Sequence, residues 1–241
     1  RAARSSGSPK SRSKTARGFG SMGNGVAGVF QAIVAVYAQL NPGSQAPTRS
    51  MLSIASSSDR NCVSLIQSNY HGFGSHHAPA ELGFALQNRG NLFALDEHHL
   101  NRLEPHKRPF HTIIPALVTK DGQPWLVFGV MGGDMQAQGH VQVLVNLIDF
   151  GMNVQEAGEA PRVEHLGSPT PTGKPGDKKG GTTHAERGLP AAVIAELIRR
   201  GHQVTGVLTN GGGYQAILID PRTGMLHGGS EYRKDGCAVG Y

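Results

Sequence analysis

Residues 125–152 can do little but form a strand, stop sharply and start a helix. Residues 125–130 are a β-prone apolar run, and Phe128-Gly-Val-Met-Gly-Gly-Asp breaks it at Gly132 and Gly133. Val141, Leu144, Val145, Ile148 and Met152 then recur at spacings of three and four, the apolar stripe of a helix. A glycine pair at such a corner lets backbone approach a neighbour closely, and the helix start offers N–H groups with no intrahelical partner. That geometry suits an anion or a developing oxyanion. It is also the ordinary form of a strand–turn–helix connection, so the neighbouring motifs must decide.

The pattern elsewhere is α+β. Residues 51–55 and 62–68 read as strands joined by the turn Ser56-Ser57-Ser58-Asp59-Arg60-Asn61. Residues 70–79 form a Gly- and His-rich loop, 82–86 a short strand and 88–108 an irregular polar stretch. A hairpin over 112–130 turns at Lys120-Asp121-Gly122-Gln123, and helices over 137–150 and 154–160 follow, the second ended by Pro161. Residues 168–181 are a Pro/Gly/Lys loop. Residues 190–200 read as a helix, with Pro190 in its first turn and Gly201 at its end. Strands over 202–208, 214–220 and 225–229 close the chain. Two stacked sheets with helices outside account for this order. The 51–68 pair, the 112–130 hairpin and the last three strands build those sheets.

Charge divides the chain in two. Residues 1–49 hold seven Lys or Arg and no acid, whereas the remainder carries 16 basic against 17 acidic residues. The sequence pI of about 9.5 therefore comes from the tail, and no basic cluster in 50–241 calls for nucleic acid. The first seventeen residues are too polar to offset ordering entropy and are expected to be disordered. Their Arg/Ser-rich, acid-poor character also fits an organelle leader, with the cytoplasm as the other compartment. Residues 25–40 are apolar but contain Gln31 and Gln39, and are short for a membrane span. They read as a helix on the body, a signal-like segment, or sequence that is not authentic coding. The division is thus 1–49, a basic tail, and 50–241, a folded domain.

Cys62 and Cys237 are too few for a disulfide framework and are expected as buried free thiols, with a single bridge as the alternative. The pairs His76-His77 and His98-His99 lie on loops with no Cys or carboxylate at ligand spacing, so no metal is expected. Gly211-Gly212-Gly213 has no Gly-Lys-Ser/Thr after it and is not a phosphate loop.

Four segments fall in a telling order. They are Gln67-Ser68-Asn69-Tyr70-His71-Gly72-Phe73-Gly74-Ser75, Lys107-Arg108-Pro109-Phe110-His111-Thr112-Ile113-Ile114-Pro115, the 128–134 corner, and the ending Arg233-Lys234-Asp235-Gly236-Cys237-Ala238-Val239-Gly240-Tyr241. Together they resemble the small, catalytic part of the γ-glutamyltransferase family, N-terminal-nucleophile hydrolases made as one chain that cuts itself into large and small subunits. The resemblance runs from about Ser50 to Tyr241, and residues 1–49 do not look like a large subunit. Gln87-Asn88-Arg89-Gly90 and His111-Thr112 resemble a γ-glutamyltransferase-like branch more than the glutathione-cleaving enzymes.

The resemblance implies a four-layer αββα sandwich, incomplete without the large subunit, and acyl transfer or amide hydrolysis through an acyl-enzyme. It implies a small-molecule amide donor of γ-glutamyl or glutaryl type, water or an amine as acceptor, and no cofactor or metal. The family nucleophile is a threonine at the start of the small subunit, whose freed α-amino group is the base. An α-amino group titrates near neutrality, so it can take a hydroxyl proton at physiological pH. Family spacing from Asn61-Cys62-Val63 lands on Ser50, with Thr48 two residues away. Thr182-Thr183-His184 resembles the start of many small subunits, but reads here as preceding a helix rather than a strand and turn.

Gly132 and Gly133 match the glycine pair beside the nucleophile, and His111 and Thr112 stand where relatives use two serines for the oxyanion. Asn69 matches an asparagine near the donor, and Gln67 replaces a second threonine that touches the nucleophile. Where relatives grip the donor's amino group with an acid, this chain has Arg89, and a cation there favours a carboxylate. The other reading is a catalytically inactive, truncated homologue or partner subunit.

Overall fold

A computed structural model describes residues 50–112 and 115–240. The expectations for residues 1–49, Thr48 among them, lie outside the described residues.

The molecule is organised around one strand buried on both faces. The strands β1 (Ser50–Ser56), β2 (Cys62–Ser68), β3 (Ala116–Lys120) and β4 (Gln123–Met131) are followed by the helices α1 (Met135–Ile148) and α2 (Val154–Glu159). Next come β5 (Val163–Leu166), β6 (Thr182–Ala185), α3 (Ala191–Arg199), β7 (Val204–Val207), β8 (Gly213–Ile219) and β9 (Leu226–Ser230). From Leu126 onward β4 is buried, as a continuous apolar run in a central strand should be. Leu126, Phe128 and Val130 pack with Val143, Leu147, Val154 and Ala157 of the helices. Val127 and Met131 face the other way, onto Leu52, Ile54 and Ile217.

Three layers result. Helices α1 and α2 cover one face of the antiparallel sheet β3-β4-β8-β9, and the hairpin β1-β2 stacks on the other. The outer face of that hairpin is wet, with Val63 and Leu65 exposed. Local chemistry explains the joints. Asp121 and Gly122 both have positive φ, which a two-residue hairpin loop between twisted strands requires. Helix α2 begins in a capping box, where Asn153 accepts from the Gln155 and Glu156 amides and Glu156 returns the bond to the Asn153 N–H.

Several sequence expectations need correction. Residues 82–86 form no strand; their loop is held by bonds such as Ser75 N to Leu86 O, 2.8 Å. The strand over 202–208 shortens to β7 and does not join the stacked sheets. It pairs in parallel with β6, beyond which lies β5, in a separate three-stranded sheet. The segments of β5 and β6, Val-Glu-His-Leu and Thr-Thr-His-Ala, are four residues each and lack a clear alternation, so periodicity could not mark them. Thr182-Thr183-His184 is itself strand, and the expected helix, α3, follows it after a turn. Pro190 sits at the N-cap of α3, one residue before its first turn. Both thiols are free, but Cys62 is half-buried and Cys237 is exposed.

Candidate active site

The contacts of β1 and β2 along β4 run toward its glycine-pair end. A Cβ built on Gly129 would meet Leu52 Cδ2 at 2.9 Å, so Leu52 lies over Gly129. Ser64, the register partner of Ile54, donates its hydroxyl to the Phe128 carbonyl at 3.0 Å. Stepping back from 54 to 52 thus moves along β4 from 128 toward 129. At about 3.3 Å per residue, position 50 continues that run toward Met131 and the Gly132-Gly133 turn.

A path of hydrogen bonds joins the same two places. Ser50 pairs in register with Ser68. The Ser68 carbonyl accepts from Arg89 Nη1 at 3.3 Å, and Arg89 Nε donates to Thr112 Oγ1 at 2.8 Å. The Thr112 carbonyl accepts from Gln136 Nε2 at 2.8 Å, and the same nitrogen donates to Gly133 O at 3.1 Å. Ser68 Oγ also accepts from the Tyr70 N–H at 2.9 Å. Gln136, in the first turn of α1, was not among the residues picked from the sequence. Its signal was weak, since a glutamine one turn into a helix is ordinary.

Arg89 is the unusual member. It opens the 3-10 turn Arg89–Leu92, is only 9% exposed, and pairs with no carboxylate among the described residues. Its guanidinium carbon lies over the Tyr70 ring, 5.8 Å from the centroid. Burial pulls the Arg89 pKa below its ordinary value, with Tyr70 opposing. Burial also raises the Tyr70 phenol, and Asp134 raises it further. Tyr70 carries φ 74°, a left-handed conformation uncommon for a bulky residue.

The other expected residues divide. Thr112 belongs to the path, and Asn69 adjoins it, its carbonyl accepting from Asn88 N at 3.2 Å. His111 is exposed beside Thr112. Gln67 is exposed and pairs across from Met51, one register position away from the Ser50–Ser68 pair, so the path does not include it. Thr182 and Thr183 occupy the middle strand of the three-stranded sheet and share no bond with this set. Among the described residues no three His, Cys, Asp or Glu gather around one point.

The glycine pair rests on a second glycine turn. A Cβ on Gly132, whose φ is 142°, would fall 2.7 Å from Gly212 Cα. Only bare backbone fits that approach. The Gly133 N–H donates to none of the described residues, while the Gly132 and Gly133 carbonyls accept from Met135 N and Gln136 N.

Behind Gly211–Gly213 stands a buried ionic cluster. Arg162, 1% exposed, donates to Gly211 O and Gly158 O. Arg233 donates to both Glu186 oxygens and to Glu231 Oε2. Glu186 accepts from the Arg162 N–H at 2.8 Å. Burial works against the Glu186 charge, but Arg233 and Arg162 outweigh it and hold its pKa below the ordinary value. The Arg233 pKa is raised, because its bonds to Glu186 and Glu231 outweigh burial. The sequence showed Arg233 only as part of an ending, and Arg162 not at all.

Residues 30–241 match the gamma-glutamyltranspeptidase family, and the chain belongs to it. It is 38% identical to the glutathione hydrolase-like YwrD proenzyme of Bacillus subtilis, over 76% of this chain and 34% of that protein. It is 34% identical to the oxamate amidohydrolase proenzyme of Klebsiella pneumoniae, over 74% of this chain and 33% of that one. The cephalosporin acylase of Bacillus halodurans superposes with a TM-score of 0.71 at 42% identity, covering 88% of this chain and 36% of that chain. A T380A mutant of Helicobacter pylori gamma-glutamyltranspeptidase gives 0.65 at 26% identity, covering 76% of this chain and 99% of that chain. The chain thus spans about a third of the curated relatives it matches.

Proposed function

We propose that this chain is the catalytic half of an acyl-transferring amide hydrolase, with Ser50 as the nucleophile and Thr48 as the second candidate. Self-cleavage before Ser50 frees an α-amino group. That amine takes the Ser50 hydroxyl proton as the oxygen attacks the donor's amide carbonyl. The tetrahedral oxyanion is met by the Gly133 N–H, with His111 and Thr112 beside it. Collapse expels the donor's amine, which carries off the proton, and leaves an ester on Ser50. Water or a second amine then attacks the ester, giving up a proton to the α-amino group, and the Ser50 hydroxyl is restored.

The observation that carries this reading is the hydrogen-bonded path from Ser68, the register partner of Ser50, through Arg89, Thr112 and Gln136 to Gly133. Asn69 and Arg89 line the donor side. The unpaired Arg89 favours donors that bring a carboxylate, in keeping with relatives named for oxamate and cephalosporin chemistry. A large subunit completes the molecule. It covers the wet face of β1-β2, where Val63 and Leu65 lie, and supplies the fourth, helical layer.

Intact-mass spectrometry and an anilide assay test the proposal. Ser50→Ala should abolish both self-cleavage and turnover, Ser50→Thr should retain them, and Thr182→Ala and Thr183→Ala should change little. Activity that survives Ser50→Ala and disappears in Thr48→Ala moves the nucleophile by two residues. A chain that stays uncut and inactive even with a large subunit supplied is the catalytically inactive homologue instead.

A further inference from the structure

The C-terminal segment brings a second cation to the proposed site. Gly213 faces Met131 across the β4-β8 ladder. Where Gly213 would carry a side chain, Lys234 passes instead, since a Cβ there would lie 2.5 Å from Lys234 Cγ and 3.0 Å from Met131 Cγ. Gly213 lies two residues before Gln215 in β8, and Ile217 of the same strand packs with Leu52, Ile54 and Met131. By the period of two, Gly213 shares their face, the one turned to β1. The Lys234 stem therefore crosses the β1-facing side of the sheet at the Met131 end of β4.

Its neighbour and its charge make it more than a surface lysine. Arg233 is fixed by Glu186, Glu231 and the Gly158 and Ala160 carbonyls, so the backbone that carries Lys234 is anchored. Lys234 Nζ itself donates only to Asn210 Oδ1, at 3.1 Å, and meets no carboxylate among the described residues. An ammonium has three donors. Two are left for a ligand. The same face is polar one step further in. Gln215 and Ser230 lie opposite each other in register, Gln215 is 0% exposed, and neither its carboxamide atoms nor Ser230 Oγ find a partner among the described residues.

We propose that Lys234 binds the donor's carboxylate and shares its recognition with Arg89. The donor class is then a monoamide of a short dicarboxylic acid, with its carbonyl at Ser50 and its free carboxylate reaching the Lys234 ammonium. This rests on the acyl-transfer site proposed above. It adds a specificity residue from the chain's last segment, and makes a terminal carboxylate, rather than an α-amino group, the recognised feature of the acyl chain.

Calorimetric titration of glutarate into the full chain tests it. Wild type and Ser50→Ala should bind glutarate alike. Lys234→Met should weaken binding roughly ten- to hundredfold, the scale of a lost hydrogen bond to a charged group, and Lys234→Arg should restore most of it. Glutaramide, which has no carboxylate, should show no dependence on residue 234. Unfolding midpoints of the variants should match wild type, which separates lost binding from lost folding. Equal glutarate affinity in wild type and Lys234→Met, or no binding by wild type, overturns the assignment. Glutarate binding that depends on Lys234, in a chain whose Ser50→Ala variant still turns over, keeps the assignment and overturns the nucleophile.

Discussion

Two buried arginine sites in this molecule are built on opposite terms. Arg233 is bound by the carboxylates of Glu186 and Glu231, Arg162 lies 3.8 Å from Glu231, and both arginines also reach carbonyls among Gly158, Ala160 and Gly211, leaving Arg162 Nε and Glu231 Oε1 without a partner among the described residues. Arg89 is nearly as buried, yet it has a hydroxyl, a carbonyl and an aromatic ring for company and no carboxylate. A buried charge is costly unless it is paired. The first site is matched largely from within the fold, by carboxylates, and holds structure together. The second is matched only when something anionic arrives, which is the condition of a binding residue.

The largest effect expected from that contrast is on folding. Removing one partner of a buried pair strands the other, at a cost of about 3–5 kcal/mol. Glu231→Ala should lower unfolding stability by that order in a denaturant titration, because it leaves Arg162 and Arg233 short of a carboxylate. A shift under 1 kcal/mol would remove the contrast.

The next effect is on rate. A Cβ on Gly133 meets nothing within 4 Å, although its φ of 62° is unfavourable to alanine. Gly133→Ala should therefore fold at a cost of about 1–2 kcal/mol. Its turnover should fall by roughly a hundred- to thousandfold if its N–H meets the oxyanion. Unchanged kcat would take Gly133 out of the mechanism.

Arg89→Met should behave in the reverse way to Glu231→Ala. It gives up two hydrogen bonds but also an uncompensated cation, so stability should stay within about 1 kcal/mol of wild type. The KM for carboxylate-bearing donors should rise, and uncharged donors should be spared. Equal loss on both donor types would make Arg89 a structural residue.

The smallest effect is a slope. The folded pKa of Glu186 lies below its unfolded value, so its contribution to stability is present above the ordinary carboxylate range and is lost as pH falls through the folded value. Wild type should lose stability on acidification below about pH 4.5. Glu186→Gln should show a flatter melting-temperature profile there. Parallel profiles would contradict the assignment.

Much of this was legible in the sequence where the pattern is long or local. The buried strand, the glycine corner and α1 follow from an apolar run, two glycines and a three-four repeat, and the order of motifs carried the family. What stayed hidden depended on partners distant in sequence. Gln136 matters because Thr112 and Gly133 lie within its reach. Arg162 matters because Gly211 and Glu231 fold back onto it. Strand β6 exists because β5 and β7 flank it. No spacing rule over a few residues encodes such meetings. Gln67 shows the limit from the other side, since its place in the motif says nothing about its outward register in β2.

The contact between Gly132 and Gly212 has a consequence for how such a chain can be altered. The two residues belong to separate turns distant in sequence, yet a single methyl group on the first would reach the backbone of the second. Neither turn can be replaced alone. A transplanted ending from a relative would have to bring a second turn that leaves the same gap, or come with its own version of the first. In recombination between homologues, a crossover placed between these turns should therefore fail more often than one that keeps both from the same parent.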